Sequence, residues 1–472
     1  MKCKKKLKLF GLALFTTFCF SKISLAETPE ELKAQIEVLK QQMATMQQQM
    51  ASMQALIETL QNKLQEVQTQ TEKMTPQIVA KESKPVYANP GMEWQLYGRV
   101  KIDYHYDTAR MEYYNDFIGV VVNRYAASYN STSGTWRISY RPDYKNDSTD
   151  FNPRDTRIGA LVYHKSGDWL IKGHTEIDFY GGNWGHNIAP RIRLAYVNIG
   201  NTRTKTNLLF GQDWIPVSQL NPSTVDFGIL TAAGNLWWRV PQITLRQKVF
   251  ENWELLASLM MHRRLSTSSE ERMPWALARI QYKDGILNKI FDKGSIIALG
   301  GGYKHEAVKD SDVPFPRKYF KESDVDRWVI CGEWLFNFKI ANNKFQFKGE
   351  AWTGKGIDKE WLRYDLGVNA YGEPIEGWGA WADFTWFINP RWAVVLGGGI
   401  DDPNDAEILK GQIGPEALND RQFTKNTHYF ANVWYALTKN MKLGAEIVHV
   451  ETTRKNYVDT ANRFTLSAFY NF

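Results

Sequence analysis

The chain has 472 residues, of which 43% are hydrophobic, 14% aromatic and 23% charged, and its 18 Trp, 22 Tyr and 24 Phe exclude a disordered chain. Beyond the first 26 residues there is no run of about 18 apolar residues, which excludes a spanning helix there. The formal charge of +7 is misleading: six of the 58 Lys and Arg fall in residues 1–26, leaving 52 against 51 Asp and Glu, so a nucleic-acid reading has no support.

The N-terminus opens with Lys2, Lys4, Lys5 and Lys6, continues through an apolar centre at Leu9–Phe20, and ends Ser24-Leu25-Ala26. This is the pattern of a signal peptide cleaved after Ala26, and it predicts a mature protein outside the cytoplasm. Phe18 precedes Cys19, which does not fit a lipoprotein acceptor. With Cys3 and Cys19 in the leader, Cys331 is left alone, so neither an intrachain disulfide nor a cysteine metal cluster is expected.

Residues 27–75 carry apolar side chains at alternating intervals of four and three. Leu32, Leu39, Met46, Met53, Leu60, Val67 and Met74 take one core position; Ile36, Met43, Met50, Ile57, Leu64 and Thr71 take the other. A sustained 3.5-residue period predicts an α-helical, left-handed coiled coil. Gln dominates the flanking positions (Gln42, Gln47, Gln49, Gln54, Gln61), so little charge selects an unlike partner and a homo-oligomer is expected. Pro76, Pro85, Pro90 and Gly91 then predict a helix stop and an extended linker over 76–93.

At Trp94 the period changes to two. Trp94, Leu96, Val100, Ile102, Tyr104 and Tyr106 fall on one face, and Gln95, Arg99, Lys101, Asp103 and His105 on the other. Similar segments predict sixteen strands, near 94–106, 156–164, 168–180, 191–199, 206–214, 240–250, 253–263, 274–283, 295–307, 326–339, 344–354, 375–388, 391–400, 427–437, 442–453 and 462–472. Short connections (Ser166-Gly167, Glu251-Asn252, Asn389-Pro390) alternate with long ones (107–155, 215–239, 308–325, 355–374, 401–426). This is the layout of a 16-stranded antiparallel transmembrane β-barrel occupying 94–472. Closing the sheet pairs every backbone group that lipid cannot satisfy. Trp94, Trp169, Trp253, Phe338, Trp386, Trp392 and Phe472 stand at the short-turn ends, as an interfacial girdle requires. Phe464, Leu466, Ala468, Tyr470 and Phe472 alternate to the last residue, similar to the C-terminal signal of bacterial outer-membrane proteins.

Four stretches carry a family resemblance: Asp155-Thr156-Arg157-Ile158-Gly159, Glu176-Ile177-Asp178-Phe179-Tyr180-Gly181, Pro190–Val197 and Leu209-Phe210-Gly211-Gln212. Over residues 94–472 the chain resembles trimeric general porins, and within them the DcaP-like porins, which also carry an N-terminal periplasmic coiled coil. The resemblance implies a homotrimer in the bacterial outer membrane that passes small solutes passively, among them (di)carboxylic acids. Phosphate-selective porins are the neighbouring class, but they rely on dense Arg and Lys ladders. This chain departs from the family in its long first connection, where Phe117–Tyr140 is expected to contain an extra hairpin.

The connection 215–239 corresponds by resemblance to the loop that folds inward and sets the constriction of general porins. Here it holds Asn221, Asp226, Trp237, Trp238 and Arg239. Strand parity places Arg157, Arg191, Arg193, Arg246, Lys248 and Arg279 on the inner wall, with Arg99, Lys101 and Lys172 added from neighbouring strands and Asp103, Glu176, Asp178, Glu254 and Glu350 opposing them. A basic lane of this kind favours small anionic solutes. Inward charges that pair with one another and brace the wall are the competing expectation for each residue. No metal and no cofactor are called for. The eight His offer no defensible Ser–His spacing for a lipase-like barrel enzyme, and Gly300–Gly302 and Gly397–Gly399 lie within strands, unlike a nucleotide loop. A role as an envelope tether, acting through periplasmic or cell-wall contacts of the coiled coil, stands as the alternative to a porin.

Overall fold

The structure is a computed structural model. It describes residues 91–472 apart from 113–117, 131–134, 183–187, 262–272, 309–322, 364–365 and 412–421, together with Lys33, Glu37, Lys40, Gln41 and Ala44. Those five are helical and exposed, and Lys40 pairs with Glu37 at 3.4 Å. The leader, the core positions expected of the coiled coil, and the linker up to Pro90 lie outside the described residues.

The strands are, in chain order, β1 Met92–Asp107, β2 Tyr125–Asn130, β3 Thr135–Tyr140, β4 Ser148–Asn152, β5 Arg157–Ser166, β6 Trp169–Gly181, β7 Ala189–Asn201, β8 Thr206–Trp214 and β9 Arg239–Lys248. They continue with β10 Trp253–Met260, β11 Trp275–Lys283, β12 Asp292–Val308, β13 Ser323–Ile340, β14 Asn343–Lys355, β15 Glu376–Phe387, β16 Trp392–Pro403, β17 Lys425–Ala436, β18 Met441–Arg454 and β19 Tyr457–Asn471. Each barrel strand pairs antiparallel with its neighbours, and β19 returns to β1 with Asp103 opposite Ser467, so the sheet is closed. Beside β1 the second place in the ring is shared: β5 pairs with its first half and β4 with its second. Sixteen places therefore surround the axis, as the period-two segments predict.

One difference from the sequence expectation falls in the first connection. Its last part joins the wall as β4, and a turn closed by Thr156 N–H on the Pro153 carbonyl at 3.0 Å separates β4 from β5. Pro153 has no N–H for a ladder, which explains why one strand becomes two pieces. The expected hairpin exists as β2 and β3, with Tyr125 opposite Tyr140.

Side-chain alternation separates two environments. Leu96, Leu299, Leu396 and Leu466 point outward and are exposed, whereas Lys101, Asp103, His105 and Asp107 of β1 point inward and are buried. An apolar outer belt around a polar interior inverts a soluble core and is the surface that hydrocarbon solvates. Trp94, Trp169, Trp253, Trp386, Trp392 and Phe472 are exposed on that outer surface near the short turns. The last residue completes the ring: Gly98 N–H donates to the Phe472 carbonyl at 2.9 Å, and Phe472 N–H to the Gly98 carbonyl at 3.0 Å. A Cβ at Gly98 would lie 2.5 Å from the Phe472 ring, so glycine is required there for closure. Among the described residues no helix is long and apolar enough to cross a membrane.

Candidate functional site: the loop-lined lumen

The connection between β8 and β9, residues 215–238, lies inside the barrel. Ile215, Val217, Val225, Leu230, Leu236 and Trp237 are at most 1% exposed, although a connection of a soluble protein would run over its surface. Its backbone polar groups need partners there, and the inner wall supplies them. Glu333 of β13 accepts the N–H groups of Gln219 and Leu220 at 2.7 and 2.6 Å. Glu350 of β14 accepts the Ser218 hydroxyl and the Leu236 N–H at 2.5 and 2.9 Å. Asp383 of β15 takes the Ser223 N–H at 2.6 Å. Glu446 of β18 takes those of Val225 and Asp226 at 2.7 and 2.9 Å. Donors meet the loop carbonyls in return: Lys348 binds that of Asn221 at 2.5 Å, Lys101 that of Val225 at 2.9 Å and Trp352 that of Gly234 at 2.9 Å.

Glycines in the wall give the loop its depth. A Cβ at Gly300 would sit 2.9 Å from Val217, one at Gly444 2.9 Å from Val225, and one at Gly399 would strike the Ala233 carbonyl. The sequence shows these glycines only as strand irregularities; their purpose requires knowing what packs against them.

The predicted loop residues are distributed by this packing. Asp226 is buried against Arg463 at 2.9 Å, and Arg463 also holds Asp107 at 2.7 Å. Burial alone would raise the Asp226 carboxyl, but Arg463, His105, the Gly228 N–H and Lys101 together hold the group below its ordinary value. Asn221 is half-buried and accepts from Asn235 through its side chain at 3.3 Å. Trp237 is buried and Trp238 half-buried. Arg239 is the first residue of β9 rather than the last of the loop, opposite Trp214. Its guanidinium is 2% exposed, 5.0 Å from the Trp214 ring centre, 4.9 Å from Trp238 and 5.8 Å from Trp237. Among the described residues neither its Nη1 nor its Nη2 has a hydrogen-bond partner.

The six basic residues expected on the inner wall differ in their surroundings. Arg193 is sealed by Glu176 at 2.7 Å and Asp178 at 3.1 Å, and Arg279 by Glu333 at 2.5 Å. These two brace the wall. Arg191 pairs with Asp178 at 2.7 Å yet keeps 13% of its side chain open, and Arg157 pairs with Asp155 at 2.7 Å and keeps 20%. Arg246 is 27% open beside Glu254 at 3.6 Å, and Lys248 is exposed. Asp155, in the β4–β5 turn, also meets Arg99 and Lys101. Burial would raise its carboxyl, but Arg157, Lys101 and Arg99 hold it well below the ordinary carboxylate range.

Sequence parity found no acid on the faces of β5, β7, β9 and β11. The acids arrive from the neighbouring elements, and only the register places Asp178 opposite Arg191. Glu333, Asp383 and Glu446, three of the four loop clamps, carry no motif. Their signal was an acid on the inner parity of a strand otherwise lacking a partner, which becomes readable once the loop is known to lie inside.

The described residues thus form a closed barrel of sixteen strand places with an inward loop and a partly open basic wall. Several solved structures share this fold. The outer-membrane channel DcaP of Acinetobacter baumannii superposes with a TM-score of 0.61 at 20% identity, over 81% of this chain and 98% of its own. OprB of Pseudomonas putida gives 0.51 at 9% identity, over 81% and 94%. The anion-selective porin from Comamonas acidovorans gives 0.50 at 11% identity, over 81% and 100%. No protein-family model matches the chain, and no curated protein does.

Proposed function

We propose that this chain is a non-enzymatic porin of the bacterial outer membrane, a passive channel for small hydrophilic solutes with a weak preference for anions such as (di)carboxylic acids. The observation that carries the reading is an asymmetry of the inner wall. Glu333, Glu350, Asp383 and Glu446 are consumed by the backbone of the inward loop, whereas Arg157, Arg191, Arg246 and Lys248 keep part of their surface open. Acids that spend their lone pairs on buried N–H groups attract few cations, and partly open guanidinium groups in a confined channel attract carboxylates. Arg239, buried in an aromatic cage with unpaired donors, adds positive potential beside that wall.

The fold shared with DcaP and with an anion-selective porin supports this reading. On the same proposal the chain is exported by its leader at 1–26, assembles as a homotrimer, and projects a coiled coil at 27–75 through the linker 76–93 into the periplasm. The reversal potential of the full-length protein in a planar bilayer under a KCl gradient tests it. A potential toward chloride, with current steps in groups of three, is expected. A potential toward potassium overturns the anion preference, and no conductance overturns the channel in favour of a tether.

A further inference from the structure

The first connection holds a second inward segment. Ile118, Val120, Val121, Val122 and Asn123 are at most 2% exposed, and residues of β17–β19 meet their polar groups. The Gly119 carbonyl accepts Asn426 Nδ2 at 2.9 Å and His428 Nε2 at 2.6 Å. Val121 N–H donates to Thr452 Oγ1 at 3.0 Å, and its carbonyl accepts Arg454 Nη2 at 2.8 Å. Tyr457 donates to Asn123 Oδ1 at 2.7 Å, and Arg124 donates to Asp459 at 2.7 Å. Its apolar side chains meet both the inward loop and the wall: Ile118 and Val121 share one apolar cluster with Leu230 and Ala233 and with Val448 and Val450 of β18, and Val120 shares another with Ala232. The segment is thus wedged between the loop and the β17–β19 wall.

We propose that Ile118–Asn123 is a second constriction element, which closes the β17–β19 side of the lumen and confines solutes to the side lined by Arg157, Arg191 and Arg246. It is a specificity determinant at a distance, because it decides which wall a solute meets. The covered wall carries Asn426, His428 and Thr452 together with Arg454 and Asp459, which pair with each other at 3.0 Å, so its charges compensate one another and offer no excess to an anion. Two-sided anchoring distinguishes the segment from an ordinary mobile connection. It has apolar contacts to the loop and the wall and five directional hydrogen bonds to the wall, so leaving the lumen would strand buried polar groups on both partners.

The inference rests on the porin reading, and the experiment separates the two. In the full-length protein, Val121→Cys with Thr452→Cys should oxidise to a crosslink, and the crosslinked channel should keep wild-type conductance. Failure of the pair to crosslink in a folded barrel overturns the placement. Replacing 118–123 by a Gly-Ser linker should raise single-channel conductance by at least about 1.5-fold, admit larger polyethylene glycols and shrink the reversal potential. A folded linker variant with unchanged conductance and selectivity overturns the proposal. If that variant does not insert, Asn426→Ala with His428→Ala frees the Gly119 carbonyl, and excursions above the wild-type level are expected; a steady wild-type current sinks it. A silent wild type with a conducting linker variant makes the segment a full plug. Silence of both overturns the porin reading, and this inference with it.

Discussion

Replacing Glu446 by Ala removes one clamp of the inward loop and leaves the others in place. The carboxylate accepts Val225 N–H at 2.7 Å, Asp226 N–H at 2.9 Å and Asn432 Nδ2 at 2.9 Å, and it is 5% exposed. Asn432 can rotate to another partner; the two backbone donors cannot. A buried donor left unpaired costs about 1–3 kcal/mol, and water entering the vacated space recovers part of that, so roughly 2–4 kcal/mol of loop anchoring is lost. At about 1.4 kcal/mol per tenfold change, the detached population rises by a factor on the order of 10². Glu446→Gln keeps one acceptor and loses the other, so about 1–2 kcal/mol and a factor on the order of 10 follow. Single-channel recording of the full-length protein reads this as excursions to higher conductance, more frequent in Ala than in Gln and least frequent in wild type. Glu254→Gln is the control: its partner Arg246 lies 3.6 Å away, both are more than a quarter exposed, and neither holds the loop. A folded Glu446→Ala channel with the wild-type fluctuation spectrum would refute the assignment of the wall acids as loop clamps.

Three further outcomes are expected. Arg246→Gln with Lys248→Gln should move the reversal potential toward potassium without changing thermal stability, while Arg193→Ala should lower the stability of the folded barrel by about 3–5 kcal/mol, because Glu176 and Asp178 lose a buried partner; heat-dependent mobility on gels measures both. Gly399→Val drives a side chain into the Ala233 carbonyl, so the loop must shift and conductance must change, while Gly167→Ala, in an open turn with nothing near its Cβ, should leave conductance unaltered. Deleting Phe472 removes both hydrogen bonds that join the chain end to Gly98 and should reduce the yield of heat-resistant barrels in a refolding assay.

Strand number and the inside–outside assignment of side chains were legible in the sequence because both depend on local alternation. The run Val100, Lys101, Ile102, Asp103, Tyr104 and His105 specifies by itself which side of β1 meets solvent-filled space, since a slip by one residue would put Lys101 and Asp103 outside. The alternation of Phe464, Leu466, Ala468 and Tyr470 likewise marks β19 as a strand with one outward apolar face. Asp178 and Arg191 are thirteen residues apart and say nothing of each other until β6 and β7 are aligned. Arg193 and Arg191 look equivalent in sequence, yet one is sealed by two acids and the other keeps an open edge.

The sequence by itself thus determined the barrel and its polarity, through period-two patterning that any strand must obey in lipid. The tertiary structure alone decided what fills the barrel. Glu333, Glu350, Asp383 and Glu446 become clamps, Gly300 and Gly399 become seats, and Ile118–Asn123 becomes part of the interior, through contacts between residues up to 334 positions apart. Such contacts leave no local period, because a loop buried against a wall is constrained by its partners' donors and acceptors rather than by its own spacing.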